Sequence, residues 1–364
     1  MKRIKLLQVH NVPHTKYLEE TLSSGQYAEG PKVAEFEKQL IPFVDNTFAI
    51  VVNSGTSALY LALYLSGVKQ GKAVITTPIT SPATNISIPR LGGEILWADV
   101  DVDSGNISPQ SVNRLLDRYD DKVAAVIAVD WGGMPCDFDE LREAIRGRAY
   151  LIEDAAHALC AEYKGRKTGS YADFTCFSFQ AVKHITTGDG GLLTCLNKNI
   201  WQRARRLRWF GIERSRPGRA FDDDLTEAGF KFQMNDIAAS IGLAQLEDLP
   251  DIIRRRREIA RYYESELKDF DFQRVSYDAT SAYWLFTIKV EDRQKVIDIL
   301  GKNDIDTLPV HCRNDTYTAF VQCTLGKDDL KNTAIFDQKM LCIPVGEWLT
   351  EEDAQHVVNC LKKR

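Results

Sequence analysis

Seven short apolar runs, separated by stretches with helical periodicity, constrain the fold of the first two thirds of this chain. Between them, residues 33–45, 55–67, 108–119 and 138–146 place apolar side chains at helical spacing. Strands that are apolar throughout and alternate with helices are typical of a parallel sheet covered on both faces. We therefore expect an α/β fold with a large, mainly parallel seven-stranded sheet and helices on both faces. The runs are 47–53, 73–77, 94–99, 123–130, 149–154, 174–179 and 191–196.

A different pattern begins near residue 236. Two long helical stretches, DIAASIGLAQLEDL and IIRRRREIARYYESEL, lead into alternating segments and a terminal helix, TEEDAQHVVNCLKKR. The sequence predicts a large domain over residues 1–240 and a smaller C-terminal α+β domain over residues 241–364. A polar segment with Pro, Gly and an acidic triplet, residues 212–229, is long enough to be a functional loop.

Charge and composition exclude several classes of protein. The 364 residues carry a net charge of −5, which argues against nucleic acid as the main partner. The run Arg254–Arg257 is interpreted as a solvated helix face, because glutamates follow it. We find no apolar stretch long enough for a membrane span and no signal peptide, so we expect a cytoplasmic location. The eight cysteines form no CxxC pair and indicate small buried side chains rather than a metal site or disulfides.

The segment IVVNSGTSALYLAL, residues 50–63, predicts a strand that ends just before a helix. A helix N-terminus offers free N–H groups and a positive dipole end, which favour a phosphate. Gly55 permits close approach of the backbone, and Thr56 adds a hydroxyl. Simple N-capping by the serine or threonine is the alternative interpretation.

In the segment AYLIEDAAHALCAEYKG, Asp154 ends a predicted buried strand and His157 follows three residues later. Ligands of open α/β sheets bind at the carboxyl ends of the strands. A carboxylate there needs a cation or hydrogen-bond donors, and a protonated heterocyclic nitrogen would serve. The alternative is a capping aspartate beside a packed histidine.

The segment FTCFSFQAVKHITTGDGG places Ser178 on an apolar strand and Lys183 five residues later. A lysine held between two buried strands has a lowered pKa and can attack carbonyl groups. A solvated surface lysine is the alternative. Taken together, the phosphate cradle, the strand-end carboxylate and the lysine are the three anchors that pyridoxal phosphate (PLP) requires.

At the level of whole motifs, the sequence resembles the DegT/StrS-type nucleotide-sugar aminotransferases, which have the aspartate aminotransferase (type I) fold. The resemblance rests on VVNSGTSAL, EDAAHALCAEYKG, FSFQAVKHITTGDGG and KFQMNDIAASIGLAQL. It implies that Lys183 holds PLP as a Schiff base, that Asp154 pairs with the ring nitrogen and that His157 lies near the ring hydroxyl. It also implies a homodimer with active sites at the interface. The implied phosphate ligands are Gly55, Thr56, Ser178 and, from the partner subunit, the residue at the position of Lys231.

The same resemblance suggests a substrate. It implies amination of a nucleotide-linked 4-keto-6-deoxyhexose to the 4-amino-4,6-dideoxyhexose, with L-glutamate as donor. His311 and Arg313 occupy a segment that the family often uses for substrate, and Arg208 and Trp209 are further candidates. The alternatives are a 3-keto sugar aminotransferase, a PLP-dependent sugar dehydratase and a PLP-bound regulatory protein. Related dehydratases have histidine in place of the lysine, so Lys183 favours transamination.

One residue departs from the family pattern. Ser81, in PITSPAT, stands where the family usually has an aromatic side chain that stacks on the cofactor ring. Serine cannot stack, so we expect another side chain to cover that face or the ring to be held more loosely.

Overall fold

The computed structural model describes residues 3–213 and 224–363, and within them fourteen strands and fourteen α-helices. The strands are β1 Ala49–Val52, β2 Ala73–Thr76, β3 Glu94–Trp97, β4 Val123–Val129, β5 Tyr150–Asp154, β6 Glu162–Tyr163, β7 Arg166–Lys167, β8 Phe174–Ser178, β9 Gly191–Cys195, β10 Asp271–Phe272, β11 Ala279–Thr280, β12 Phe286–Lys289, β13 Thr324–Lys327 and β14 Met340–Ile343. The helices are α1 Lys16–Ser24, α2 Pro31–Val44, α3 Gly55–Leu65, α4 Pro82–Asn85, α5 Ser87–Arg90, α6 Pro109–Tyr119, α7 Phe138–Ile145, α8 Lys198–Leu207, α9 Asp236–Leu246, α10 Leu249–Glu266, α11 Arg293–Gly301, α12 Thr318–Val321, α13 Lys331–Lys339 and α14 Glu351–Leu361.

The large sheet has eight strands in the order β1-β9-β8-β5-β4-β2-β3-β13. Strand β9 runs antiparallel to both of its neighbours, and the other neighbouring pairs are parallel. All seven apolar runs of the sequence form strands of this sheet, which confirms the α/β prediction. The eighth strand, β13, was not predicted; it comes from the last third of the chain and pairs with β3.

Helices cover both faces of the sheet, because neighbouring residues of each strand point to opposite sides. On β1, Ile50 and Val52 pack in one apolar cluster with side chains of α3, whereas Ala49 and Val51 pack in another with α2 and α9. Helices α6 and α7 cover a further part of the sheet. The four helices predicted in the first 150 residues are α2, α3, α6 and α7.

A smaller antiparallel sheet, β10-β12-β14, packs with α10, α11 and α14 around its own apolar cluster. Helix α9 runs through residue 240, where the sequence analysis placed a domain boundary, and β13 returns from beyond it to the large sheet. The division into domains 1–240 and 241–364 stays a prediction. Most of the polar segment 212–229 lies outside the described residues.

The arginine run lies on α10, and the solvated-face prediction is only partly right. Arg254 is exposed and pairs with Asp251 and Glu258 on its own helix. Arg256 is 1% exposed, and its Nε lies 3.1 Å from a carboxylate oxygen of Glu347. One residue in the run therefore faces the core because the four side chains spread around the helix axis.

Six of the eight cysteines are buried, as predicted, whereas Cys312 is exposed and Cys323 partly exposed. Within residues 3–213 and 224–363, no group of side chains is arranged to hold a metal ion. In the same ranges, none of the helices combines the length and apolar character that crossing a membrane requires. The cytoplasmic location stays a prediction.

Candidate active site

The predicted site residues meet in a cavity of about 360 Å³ at the carboxyl ends of β4, β5 and β8. Parallel strands present their carboxyl ends at one edge of the sheet, so residues far apart in sequence converge there. The predicted residues in its wall are Gly55, Thr56, Asp154, His157, Ser178, Lys183 and His311.

The turn between β1 and α3 forms one end of the cavity. Ser54 caps α3, because its hydroxyl accepts a hydrogen bond from the N–H of Ser57 at 3.0 Å. A Cβ on Gly55 would lie 3.0 Å from Cβ of Ser178 and 3.3 Å from the carbonyl oxygen of Phe177. The capping interpretation is therefore correct for Ser54. Beside it, Gly55 and Thr56 leave a narrow space at the positive end of the helix that suits a phosphate.

Asp154 lies at the end of β5 and is 4% exposed. One carboxylate oxygen accepts a hydrogen bond from the Thr84 hydroxyl at 2.7 Å, and the other accepts one from the N–H of Ala156 at 3.2 Å. Burial raises the pKa of this carboxyl group, while these two donors and the nearby Lys183 act in the opposite direction. A carboxylate oxygen has two lone pairs, so both oxygens can accept a further donor from the cavity.

His157 is buried, and its Nδ1 has no hydrogen-bond partner among the described residues. Burial lowers its pKa well below the ordinary range, with the Lys183 and His311 charges acting in the same direction. The imidazole is therefore neutral at pH 7. An unpaired polar atom in a buried wall is costly, so a bound ligand with a matching group would be favoured there.

Lys183 follows β8 and directs its amine into the cavity. Nζ lies 3.8 Å from the ring centre of Trp284. Burial lowers the pKa of Lys183 to about 7, although the Asp154 carboxylate acts to raise it. A solvated surface lysine is thus the wrong interpretation. A substantial fraction of the amine is neutral at pH 7, which is the form that attacks a carbonyl group.

These groups fit PLP. The glycine cradle at α3 suits its phosphate, the buried Asp154 carboxylate suits a protonated ring nitrogen, and the unpaired Nδ1 of His157 suits a ring hydroxyl. The amine of Lys183 lines the same cavity and is suited to the aldehyde carbon.

Two other predicted residues do not reach this cavity within their own chain. Lys231 is exposed, and its Nζ lies 5.1 Å from the ring centre of Phe210. Arg313 pairs with Asp315 at 2.7 Å and is absent from the cavity wall. His311 does reach the wall, in a left-handed backbone conformation with φ 65°, and burial lowers its pKa to about 4.

The structure gives Arg208 a structural role. Arg208 is 3% exposed, and its guanidinium pairs with Glu29 and with Glu37, the second contact at 2.6 Å. It also donates to the carbonyl oxygen of Val51 on β1. The suggestion that Arg208 binds substrate is therefore not supported. Trp209, the other weak candidate, forms a backbone bridge with Lys231 and is likewise absent from the cavity wall.

Several residues that line the cavity were not predicted from the sequence. Leu7, Thr84, Trp284 and Val310 come from distant parts of the chain, and no local motif marks any of them. Ser81 also lines the cavity, and its hydroxyl caps α4 by accepting from the N–H of Ala83. Trp284 brings an aromatic ring into the cavity wall beside Lys183, and the prediction that another side chain replaces the missing ring at Ser81 stays a prediction.

An α/β sheet with a carboxylate, a desolvated lysine and a phosphate cradle at its carboxyl edge defines a PLP-dependent enzyme. Comparison with known proteins agrees and is more specific. The chain belongs to the DegT/DnrJ/EryC1/StrS aminotransferase family, whose profile matches residues 10–362.

Two curated relatives and one solved structure illustrate this similarity. A Campylobacter jejuni protein named UDP-4-amino-4,6-dideoxy-N-acetyl-beta-L-altrosamine transaminase is 33% identical and covers 95% of this chain and 92% of its own. Spore coat polysaccharide biosynthesis protein SpsC of Bacillus subtilis is 30% identical over 94% of this chain and 92% of its own. The structure of sugar aminotransferase CalS13 from Micromonospora echinospora has a TM-score of 0.92 and 33% identity, covering 98% and 99% of the two chains.

The protein is therefore a PLP-dependent transaminase of a sugar aminotransferase family. This confirms the family, the cofactor and the enzyme class that the resemblance implied.

Proposed function

We propose that this enzyme transfers the amino group of L-glutamate to C4 of a nucleotide-linked 4-keto-6-deoxyhexose and forms the 4-amino-4,6-dideoxyhexose. The observation that carries the transamination is the placement of the Lys183 amine and the buried Asp154 carboxylate in the wall of one cavity. The choice of C4 is supported by the name of the Campylobacter relative, which includes a 4-amino-4,6-dideoxy sugar.

The proposed roles follow from the environment of each side chain. When bound, PLP supplies an electron-withdrawing ring that stabilises negative charge at the carbon carrying the amine. Asp154 would keep the nitrogen of that ring protonated. In the first half reaction, Lys183 Nζ removes the α-proton of glutamate. In the second half reaction, it delivers a proton to C4 of the sugar. A pKa of about 7 suits this exchange, because proton transfer in both directions is efficient near the working pH.

We further propose a homodimer in which Lys231 completes the phosphate site of the partner subunit. Lys231 is exposed and lies outside the cavity of its own chain, as this arrangement requires. The cradle formed by Gly55, Thr56 and Ser178 offers backbone N–H groups and hydroxyls, and among the described residues that line the cavity no lysine or arginine other than Lys183 is present. A lysine from the partner would supply the missing positive charge.

For the sugar nucleotide, His311 is the better placed of the two candidates. It lines the cavity, and its Nε2 has no hydrogen-bond partner among the described residues. Arg313 is held by Asp315 and would have to leave that pair to reach a ligand. We therefore propose that His311 contacts the substrate and that Arg313 acts only if its segment rearranges.

The test of the main proposal has two stages. The PLP-loaded enzyme is mixed with L-glutamate, and the visible cofactor band and 2-oxoglutarate release are followed. Nucleotide-linked 4-keto and 3-keto deoxyhexoses are then offered separately, and the product is identified by NMR. We expect amine on the 4-keto sugar. Amine on the 3-keto sugar alone would overturn the C4 assignment, and no spectral response to any amino donor would overturn the proposal.

The residue roles are tested separately. Borohydride reduction of the loaded enzyme followed by peptide mapping should place the label on Lys183. Mixing inactive Lys183→Ala with inactive Lys231→Ala chains tests the shared site, because a mixed dimer regains one intact site. If the chains pair at random, half of the dimers are mixed and each mixed dimer has one intact site out of two. The mixture should therefore recover about a quarter of the wild-type activity. No recovery, with mixed dimers shown to form, would mean that Lys231 does not act across the interface.

A further inference from the structure

The indole of Trp284 makes three contacts at the reactive lysine. Its ring stacks on His157 with ring centres 3.8 Å apart and planes 16° apart. Its Nε1–H donates to the carbonyl oxygen of Val182 at 2.8 Å. Lys183 Nζ lies 3.8 Å from the same ring. Two groups cannot both sit at van der Waals distance from one ring centre on the same side, so the amine lies over the face opposite His157.

The backbone around Trp284 also holds the other side of the lysine. His184 Nε2 lies 3.0 Å from the carbonyl oxygen of Ala282. Burial lowers the pKa of His184 to about 3, so the ring is neutral and donates its Nε2–H to that carbonyl. The segment 282–284 thus bonds to the residue before Lys183 and to the residue after it. Rotation of the 182–184 backbone would break both hydrogen bonds.

The titratable side chains that act on the Lys183 amine are one carboxylate and three histidines. Asp154 is the carboxylate whose charge favours the ammonium form of Lys183. Positive charge on His157, His184 or His311 would oppose the ammonium form, but burial keeps these rings neutral. An ammonium over an indole face is attracted by the negative π cloud, and this attraction grows where water is excluded.

We propose that Trp284 is a positioning residue for Lys183, fixing the backbone ahead of it through the indole N–H and holding its ammonium through the open indole face. This inference rests on the proposed role of Lys183 but concerns a different residue, from a segment beyond residue 240. It also assigns a function to the only tryptophan in AYWLFTIKV, which the strand pattern alone would place in the core.

The test measures Lys183 in the apoenzyme. The protein is produced with tryptophan carrying increasing numbers of ring fluorines, which weaken the π face while keeping the indole ring system and its N–H donor. The pH dependence of amine acylation at Lys183 is read by peptide mass spectrometry. Because the indole favours the ammonium form, we expect the Lys183 pKa to fall by about half a unit to one unit across the series.

Fluorination modifies all six tryptophans of the chain. Two variants show whether the fall in the Lys183 pKa comes from the ring of Trp284. Trp284→Phe keeps an aromatic face that fluorinated tryptophan cannot modify, so its Lys183 pKa should not change across the series. Trp131→Phe, which alters the ring that meets His157 edge-on, should keep the trend. If the Lys183 pKa of the wild-type protein does not change with fluorination, the proposal is overturned. A fall in the Lys183 pKa that persists in Trp284→Phe would overturn it as well.

The design separates this inference from the proposed function. The acylation curve needs neither bound cofactor nor substrate, whereas borohydride mapping of the loaded enzyme reports whether Lys183 carries the cofactor. The inference can be tested even if Trp284→Phe does not fold. An unchanged Lys183 pKa across the fluorinated wild-type proteins overturns it without any variant.

Discussion

The chemistry of Lys183 depends on a balance between burial and one carboxylate. Burial lowers its pKa to about 7, and Asp154 opposes that shift. A fully solvated lysine would be an ammonium ion at neutral pH and a poor nucleophile. A lysine with no carboxylate nearby would lose its proton too readily to return it. The charge of Asp154, which acts against the effect of burial, thus keeps both protonation states accessible.

The first prediction concerns the carboxylate. Asp154→Asn removes the charge that would hold a proton on the cofactor ring nitrogen. We expect the single-turnover rate with L-glutamate to fall by about 10²- to 10³-fold, as for other buried electrostatic groups in active sites. Thr84→Val is the matched control, since it removes one hydrogen bond to Asp154 but keeps the carboxylate. Stopped-flow absorbance measures both, and a wild-type rate in Asp154→Asn would contradict the assignment.

The second prediction compares two arginines of one run. Arg256 is buried and paired with Glu347, whereas Arg254 is exposed on the same helix. Arg256→Ala removes the buried guanidinium that pairs with Glu347 and donates to the carbonyl oxygens of Tyr283 and Val345, so Glu347 keeps only the His10 ring as an ionic partner. We expect the free energy of unfolding to fall by about 3–5 kcal/mol. Arg254→Ala should lower it by less than about 1 kcal/mol. Urea unfolding measures the difference, and equal losses would show that the buried pair has no special role.

At the level of single residues, the sequence was informative where a residue follows an apolar strand. Lys183, Asp154 and His157 could be predicted together because strand ends converge at one edge of a parallel sheet. Thr84 and Trp284 could not, because their positions depend on how α4 and the segment before β12 pack against that edge. Arg256 illustrates the same limit: four adjacent arginines look alike until the orientation of the helix is known.

Among the elements, the antiparallel pair β1 and β9 shapes the phosphate cradle. Gly191 on β9 pairs with Val52, one residue before the turn that starts α3. A Cβ at Gly191 would lie 2.6 Å from the carbonyl carbon of Ser54 and 2.7 Å from the N of Gly55. These are backbone atoms of a capped helix start, so they cannot move aside without displacing the cradle.

The third prediction follows from this contact. Gly191→Ala should lower the free energy of unfolding by about 1–3 kcal/mol through overpacking, and should weaken PLP binding. Gly301→Ala is the matched control, because a Cβ there meets nothing within 4 Å. Urea unfolding and spectroscopic titration of the apoenzyme with PLP measure the two effects. Unchanged PLP affinity in Gly191→Ala would argue against a phosphate site at this turn.

The strands show which elements a sequence pattern can identify. Seven strands of the large sheet are continuous apolar runs because they are buried on both faces. Strand β13, with the sequence TLGK, is only partly buried along its length and contains a glycine, so it has neither an apolar run nor a clear alternation. Its place beside β3 is set by long-range packing, which no local pattern records.

Across the whole molecule, the N-terminal segment joins the active-site region to the C-terminal part. Leu7 lines the cavity. The carbonyl oxygen of His10 accepts a hydrogen bond from the Gln245 side chain at 2.9 Å, and the same side chain accepts one from the N–H of Thr186 at 2.6 Å. The segment is therefore linked through Gln245 to the loop that follows Lys183.

The His10 ring adds an ionic contact to this link. Its Nε2 lies 3.1 Å from Asp248, and its Nδ1 lies 3.4 Å from Glu347. Hydrogen bonding to Glu347, supported by Asp248, raises the pKa of His10 above its ordinary value of 6.5. The folded state therefore binds the His10 proton more tightly than the unfolded state does, and this difference contributes stability while the ring is protonated.

The fourth prediction is the resulting pH dependence. The His10 contribution should be fully present below pH 6.5 and lost as the pH rises through its raised native pKa. His10→Gln should thus be less stable than wild type by about 1 kcal/mol near pH 6, because the pair is partly solvated, and the two proteins should converge toward pH 9. Thermal unfolding across this range measures the difference. Titrating groups away from this contact, including Lys183, are common to both proteins and cancel in the comparison. His14→Gln, at a more exposed pair with Glu247, serves as the control. A His10→Gln deficit that stays constant from pH 6 to pH 9 would mean that the ring stabilises the segment by packing rather than by charge.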